Sequence, residues 1–229
     1  MKRKNKITVG LDEVGRGPLA GPVVACAVVA DRRTFLRWRS VLPDIKDSKK
    51  LTKKKREELY EILTNHPAIE WGIGRVSEKT IDKINILEAT KLAMIKAVKN
   101  ISCKRICGHK RHIKRHVKRR IDFLIVDGKM KLDLPIPQRS IVKADEKVFS
   151  CMAASIIAKV TRDGIMEKYH KKYPQYGFDR HKGYGTPFHI KMLKRYGRCD
   201  IHRNSFKITG VPMRSMGKGG KKRGNFSDL

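Results

Sequence analysis

The chain has 229 residues, with 54 Lys+Arg against 22 Asp+Glu and a formal net charge of +32. Hydrophobic residues make up 40% of it, too many for a disordered polycation, so a folded domain is expected, and the charge points to a polyanionic partner. The longest nearly apolar run, Pro18 to Ala30, is shorter than the roughly 20 residues of a spanning helix, so no membrane span is expected, and it follows the acidic Asp12 and Glu13, which speaks against a signal peptide; five irregularly spaced cysteines suit a reducing cytoplasm.

Ile7 to Leu11 reads as a short buried strand, followed by a glycine-punctuated turn and a valine-rich second strand, Val23 to Val29. Beyond a long basic connection, Thr52 is placed to cap a helix running to Leu63, with Leu59, Ile62 and Leu63 on its apolar side. Ile69 to Val76 alternates as a third strand. From Asn85 to Ile101 the apolar residues Leu87, Leu92, Ile95, Val98 and Ile101 recur near helical spacing. FLIVDGK is a buried strand closing on Asp127, and Ser140 to Val142 is a further short strand beyond Pro135 and Pro137. Glu146 to Tyr169 predicts one helix, Ala-rich between Met152 and Ala158; Thr186 and Pro187 start a last helix, which Gly197 stops. Alternating strands and helices give an α/β class with a mixed sheet.

In a chain so poor in acids, carboxylates at the ends of apolar strands stand out, because burial there is costly without a compensating cation. Asp12 and Glu13 end the first strand, Asp127 ends FLIVD, and Asp145 closes IVKAD. Strands side by side in one sheet would gather these ends. Two carboxylates about 5 Å apart repel by roughly 3 kcal/mol at an effective dielectric near 20, so the cluster calls for cations or raised pKa values. Oxygen-only donors select hard ions such as Mg²⁺ or Mn²⁺, and in a basic protein such a cluster points to metal-assisted phosphodiester chemistry. The blander alternative is that each acid merely caps a strand or helix. Asp145 is placed to cap the helix behind it, and neighbours such as Asp12 and Glu13 face opposite ways in a regular strand.

The blocks GLDEVGRGPLAGPV, DSKKL, IVDGK, VKAD, AASIIAKVTRD, YPQY and HKGYGT, in this order, resemble bacterial ribonuclease HII over roughly Lys6 to Lys207. The resemblance implies a ribonuclease H-like fold, a mixed central β-sheet flanked by helices with a small C-terminal helical portion. It implies an endoribonuclease that cuts RNA in RNA–DNA hybrids and at ribonucleotides embedded in duplex DNA. By the same resemblance Asp12, Glu13, Asp127 and Asp145 would hold two Mn²⁺ or Mg²⁺ ions, and hydrolysis 5′ to the ribonucleotide would leave 3′-hydroxyl and 5′-phosphate ends. The turn Gly15-Arg16-Gly17 matches the loop whose backbone reads the 2′-hydroxyl; glycine allows the close approach, and the 2′-hydroxyl separates RNA from DNA. Tyr184 matches a junction-sensing tyrosine, and Lys49 a phosphate-contacting lysine assisted by Ser48. Lys182 and His181 are expected at the nucleic-acid backbone, and Arg162 and Asp163 as a structural ion pair near the site. A cytoplasmic monomer is implied; a sliding clamp stays open as a partner, although no clamp-binding peptide stands out.

The chain departs from the family in Lys104 to Arg120, with nine Lys/Arg, three His and no acid, and in a Gly/Lys-rich tail from about Gly210. Lys/Arg pairs every four residues would form a helical stripe able to track phosphates; a solvated insertion is the alternative. The catalytic domain is expected over 1–209 with this insertion inside it. Cys103, Cys107, His109, His112 and His116 lie too close together for zinc-finger spacing, which disfavours a zinc site. The related ribonuclease HIII carries an added N-terminal domain, for which a first strand at Ile7 leaves no room. The rival from another class is a noncatalytic nucleic-acid-binding protein.

Overall fold

A computed structural model describes residues 6–29, 51–101 and 121–211. Ser48, Lys49, the basic segment 104–120 with its cysteine and histidine residues, and the tail beyond 211 lie outside the described residues. The elements, in order, are β1 (Thr8–Val14), β2 (Val23–Val29), α1 (Lys53–Asn65), β3 (Glu70–Val76), α2 (Glu78–Asn100), β4 (Phe123–Asp127), β5 (Gln138–Ile141), α3 (Ala144–Lys147), α4 (Phe149–Lys172), a 3₁₀ turn (Pro174–Tyr176), α5 (Phe178–His181) and α6 (Pro187–Tyr196). The sheet order is β3-β2-β1-β4-β5. β1, β2 and β3 pair antiparallel, whereas β4 lies parallel to β1 and to β5, so the sheet is mixed as expected.

Strand alternation splits β2 between two cores. Val23, Ala25 and Ala27 join Leu11, Val126 and the α2 residues Ala93, Met94 and Ala97 on one face. Val24, Cys26 and Val28 join Leu59 and Leu63 of α1 and Ala154 and Ile157 of α4 on the other. A strand buried on both faces reads as the continuous apolar run seen in the sequence. Helix α2 lies so close to β3 that a Cβ on Gly72 or Gly74 would meet the backbone of Ala97 and Ala93, so only glycine fits there. A third apolar cluster, built on Met166, Tyr176, Phe178 and Leu193, seats the C-terminal helices. Among the described residues no helix is long and apolar enough to cross a membrane.

Several boundaries differ from the sequence reading, among them β5, which runs Gln138–Ile141 rather than Ser140 to Val142. Strand β1 continues through Asp12 and Glu13 to Val14. Helix α2 begins at Glu78, capped by Ser77, and kinks at Asn85 (φ 66°, ψ 168°), whose Oδ1 accepts the N–H groups of Leu87 and Glu88 at 2.9 and 3.1 Å. The apolar period starting at Asn85 is thus the second piece of a longer helix. The single helix expected from Glu146 is two, because Val148 is extended (φ −122°, ψ 116°), a conformation natural to a β-branched residue. Asp145 therefore sits in the one-turn helix α3 rather than at a strand end.

Candidate active site

Antiparallel pairing puts Asp12 opposite Cys26, and the parallel register Leu11↔Val126 brings Asp127 to the same end of the sheet. Asp127 Oδ1 accepts the N–H of Ala144 at 2.6 Å, which folds α3 back and carries buried Asp145 in behind it. The Cys151 thiol feels the charge of three of these acids. Burial pushes it up to about 12, and Asp12, Asp127 and Asp145 all add to that shift.

Asp12 lies well above the ordinary carboxylate range through burial first, then the charges of Glu13 and Asp127, against a hydrogen bond from Ser155. Burial also raises Glu13; Arg16 opposes that, and Asp127 adds to it. Glu13 Oε1 pairs with Arg16 at 3.3 Å, while Oε2 is buried with no hydrogen-bond partner among the described residues. Buried, mutually repelling, oxygen-only groups with an unused lone-pair face fit a hard divalent cation. Among the described residues no three His, Cys, Asp or Glu side chains already converge on one ion position. The donor set is therefore gathered at one end of the sheet without being closed around a point.

Above the acids opens a cleft of about 480 Å³. Asp12, Glu13 and Asp127, the Gly15-Arg16-Gly17 turn and Tyr184 all line it. Asp145, buried in α3, is not among the lining residues. Arg56, Ser155 and Lys159 also line the cleft and escaped the sequence reading. For the last two a signal existed: Ser155 and Lys159 are four apart in AASIIAKVTRD, hence on one face of α4. Arg56 lay among many lysines and arginines with nothing to single it out.

Tyr184 is 42% exposed, and its ring lies 3.7 Å from where a Gly17 Cβ would be. Lys182 is not among the residues that line the cleft; its ammonium pairs with Glu167 at 2.8 Å, and its carbonyl accepts from Arg162 at 3.0 Å, which ties down the loop before Tyr184. His181 is held through Tyr176 O at 2.7 Å, also away from the cleft. The expected Arg162–Asp163 ion pair is replaced by other contacts. Asp163 pairs with Lys159 at 2.8 Å, and Arg162 spends its guanidinium on the carbonyls of Pro22, Ala20 and Lys182. Behind Tyr184 a buried pair, His189 and His202, meets Nε2 to Nε2 at 3.0 Å. Neither histidine, nor the buried Arg203, was anticipated.

Residues 9–209 match the family model described as ribonuclease HII. The chain is 48% identical over 200 residues to a ribonuclease HII of Chlamydia caviae, covering 87% of this chain and 84% of that protein. It is 50% identical over 205 residues to one of Acetivibrio thermocellus, covering 90% and 71%. The crystal structure of ribonuclease H2 from Pyrococcus horikoshii superposes with a TM-score of 0.66 at 28% identity, over 88% of this chain and 94% of that one. The chain belongs to the ribonuclease HII family of ribonuclease H-type enzymes.

Proposed function

We propose that the chain hydrolyses the RNA strand of RNA–DNA hybrids and cuts 5′ to ribonucleotides embedded in duplex DNA, leaving 3′-hydroxyl and 5′-phosphate ends. The observation that carries this reading is that cation-seeking carboxylates, a glycine turn and an exposed tyrosine line one cleft. Asp12, Glu13, Asp127 and Asp145 would hold two Mg²⁺ or Mn²⁺ ions. Bound there, the ions supply Lewis-acid charge to the scissile phosphate and a water acidified near neutral pH. The protein supplies position. Asp127 is fixed by the Ala144 N–H, and Asp12 by the N–H of Glu13 at 2.7 Å. Arg16, Arg56 and Lys159 around the cleft attract the polyanion and offset the charge of the acids. The main chain of Gly15 to Gly17 meets the ribose 2′-hydroxyl, and Tyr184 packs on the adjoining sugar. The physiological role that follows is removal of ribonucleotides from DNA in repair and replication, in the cytoplasm.

Cleavage of a duplex containing one ribonucleotide, by the wild-type chain and by Asp127→Asn with Mn²⁺ or Mg²⁺, tests this. The wild type should cut once, on the 5′ side of the ribonucleotide, and the variant should lose at least a hundredfold in rate. Equal cutting by both would remove the assignment of the carboxylates; binding without cutting by the wild type would favour a noncatalytic nucleic-acid-binding protein.

A further inference from the structure

The two bulkiest wholly buried side chains among the described residues are Arg162 and Arg203, each at 0% exposure. Their nitrogens are aimed at main-chain carbonyls. Arg203 reaches Gly21 O through Nε and one terminal nitrogen at 3.0 and 2.8 Å; that terminal nitrogen also reaches Gly15 O, and the other reaches Arg16 O at 2.9 Å. Arg162 holds Ala20 O at 3.1 Å, Pro22 O at 3.0 Å and Lys182 O at 3.0 Å. Together they grip both ends of the loop from Gly15 to Pro22 and tie it to the residue two before Tyr184.

Peptide geometry turns this grip into an orientation. A trans peptide points its C=O and its N–H in opposite directions, and there is no cis bond among the described residues. Carbonyls of Gly15 and Arg16 drawn inward by Arg203 therefore send the N–H groups of Arg16 and Gly17 outward, on the two residues that line the cleft. Among the described residues neither N–H donates to another protein group. Gly15 itself, at φ +92°, has no room for a Cβ against Arg162 and Pro22 O, so the turn is moulded onto the guanidinium beneath it. Lysine could not do the same work, because one ammonium cannot hold three carbonyls in a fixed fork.

We infer that Arg203, seconded by Arg162, is a positioning residue for sugar recognition: it sets the direction of the main-chain donors at Arg16 and Gly17 that distinguish a ribose from a deoxyribose. This rests on the reading above that the turn meets the 2′-hydroxyl, and it adds two residues 41 apart in sequence that touch no substrate.

The test measures binding by the full chain, in an Asp127→Asn background that prevents cutting, to a duplex with one ribonucleotide and to the same duplex all in DNA. The parent should prefer the ribonucleotide duplex. Arg203→Lys should lower that preference at least fivefold and leave affinity for the all-DNA duplex within twofold, a split that general loosening of the fold would not produce. Arg162→Lys should move the preference the same way and carries the test if Arg203→Lys does not fold. In the parent, amide hydrogen exchange supplies a check without any arginine variant: the N–H groups of Arg16 and Gly17 should be protected by the ribonucleotide duplex and not by the DNA one. Retained preference in a folded variant, or equal protection by both duplexes in a parent that prefers the ribonucleotide, overturns the inference. A parent with no preference at all would instead overturn the reading of the turn on which it rests.

Discussion

Lowering the pH from 7.5 to 5 should weaken the fold through one pair of imidazoles, His189 and His202. They are 0% and 3% exposed, and their hydrogen bonds order their protons. His202 Nδ1 accepts the backbone N–H of Cys199 at 2.9 Å, so its own proton sits on Nε2 and is donated to His189 Nε2. His189 must then carry its proton on Nδ1, which it donates to Tyr184 O at 2.8 Å. Both rings are neutral in this arrangement, and a second proton on either would set N–H against N–H in an apolar surrounding. Burial, followed by the neighbouring His181, accordingly holds His189 down to about 4; burial and then His189 hold His202 down to about 3, both from 6.5. The unfolded chain takes up these protons first. The stabilisation is therefore complete above 6.5 and is lost as pH falls from there toward the folded values, and at pH 5 each ring costs about 2 kcal/mol. Asp12 and Glu13, both raised, act in the opposite sense: their penalty is present once they ionise and is relieved as pH falls. The comparison that isolates the histidines is His202→Gln, whose amide can donate to His189 and accept from Cys199 without titrating. Urea unfolding at the two pH values, with unchanged slope, should show the wild type losing about 2 kcal/mol more than the variant. The same pH dependence in both proteins would refute the buried neutral pair.

Divalent cation should stabilise the wild type: at one hundred times its dissociation constant, Mn²⁺ adds about 2.7 kcal/mol, or roughly 5–10 °C in Tm, and Asp127→Asn should lose most of that shift. Because protons compete for the raised Asp12 and Glu13, the apparent cation affinity should tighten from pH 5.5 to 7.5; an opposite trend would contradict the burial of those acids. Gly74→Ala drives a Cβ into the Ala93 carbonyl of α2 and should cost about 1–3 kcal/mol in urea unfolding, whereas Gly164→Ala meets nothing within 4 Å and should gain about 1 kcal/mol, seen as a higher Tm. Tyr184→Ala should slow cutting at a single embedded ribonucleotide about tenfold more than cutting of a long hybrid, compared as kcat/KM on the two substrates, a factor that corresponds to about 1.4 kcal/mol in the transition state.

Much of the architecture was legible because strand alternation and helical periodicity are local. The valine run of β2, the Thr52 and Thr186 caps and the stop at Gly197 all stand where the sequence placed them. The acids Asp12, Glu13 and Asp127 were legible for a related reason: a carboxylate closing an apolar strand contradicts its surroundings, and the contradiction shows without coordinates. The helix break at Val148 was less visible. It comes from the extended backbone of Val148, which overrides a helical composition; Asp145 sits in α3, whose Ala144 N–H is held by Asp127 across 17 residues.

By itself the sequence determined the α/β class and singled out a polyanionic partner and four candidate acids, since charge, periodicity and misplaced carboxylates are properties of neighbouring residues. Only the tertiary structure decided which basic residues are buried and what they hold. Arg203 reaches Gly15 across 188 residues, and His189 reaches His202 across 13 through a turn whose path no local pattern encodes. Among 54 lysines and arginines, a guanidinium that organises a loop and one that merely faces water are chemically identical until the chain closes around one of them.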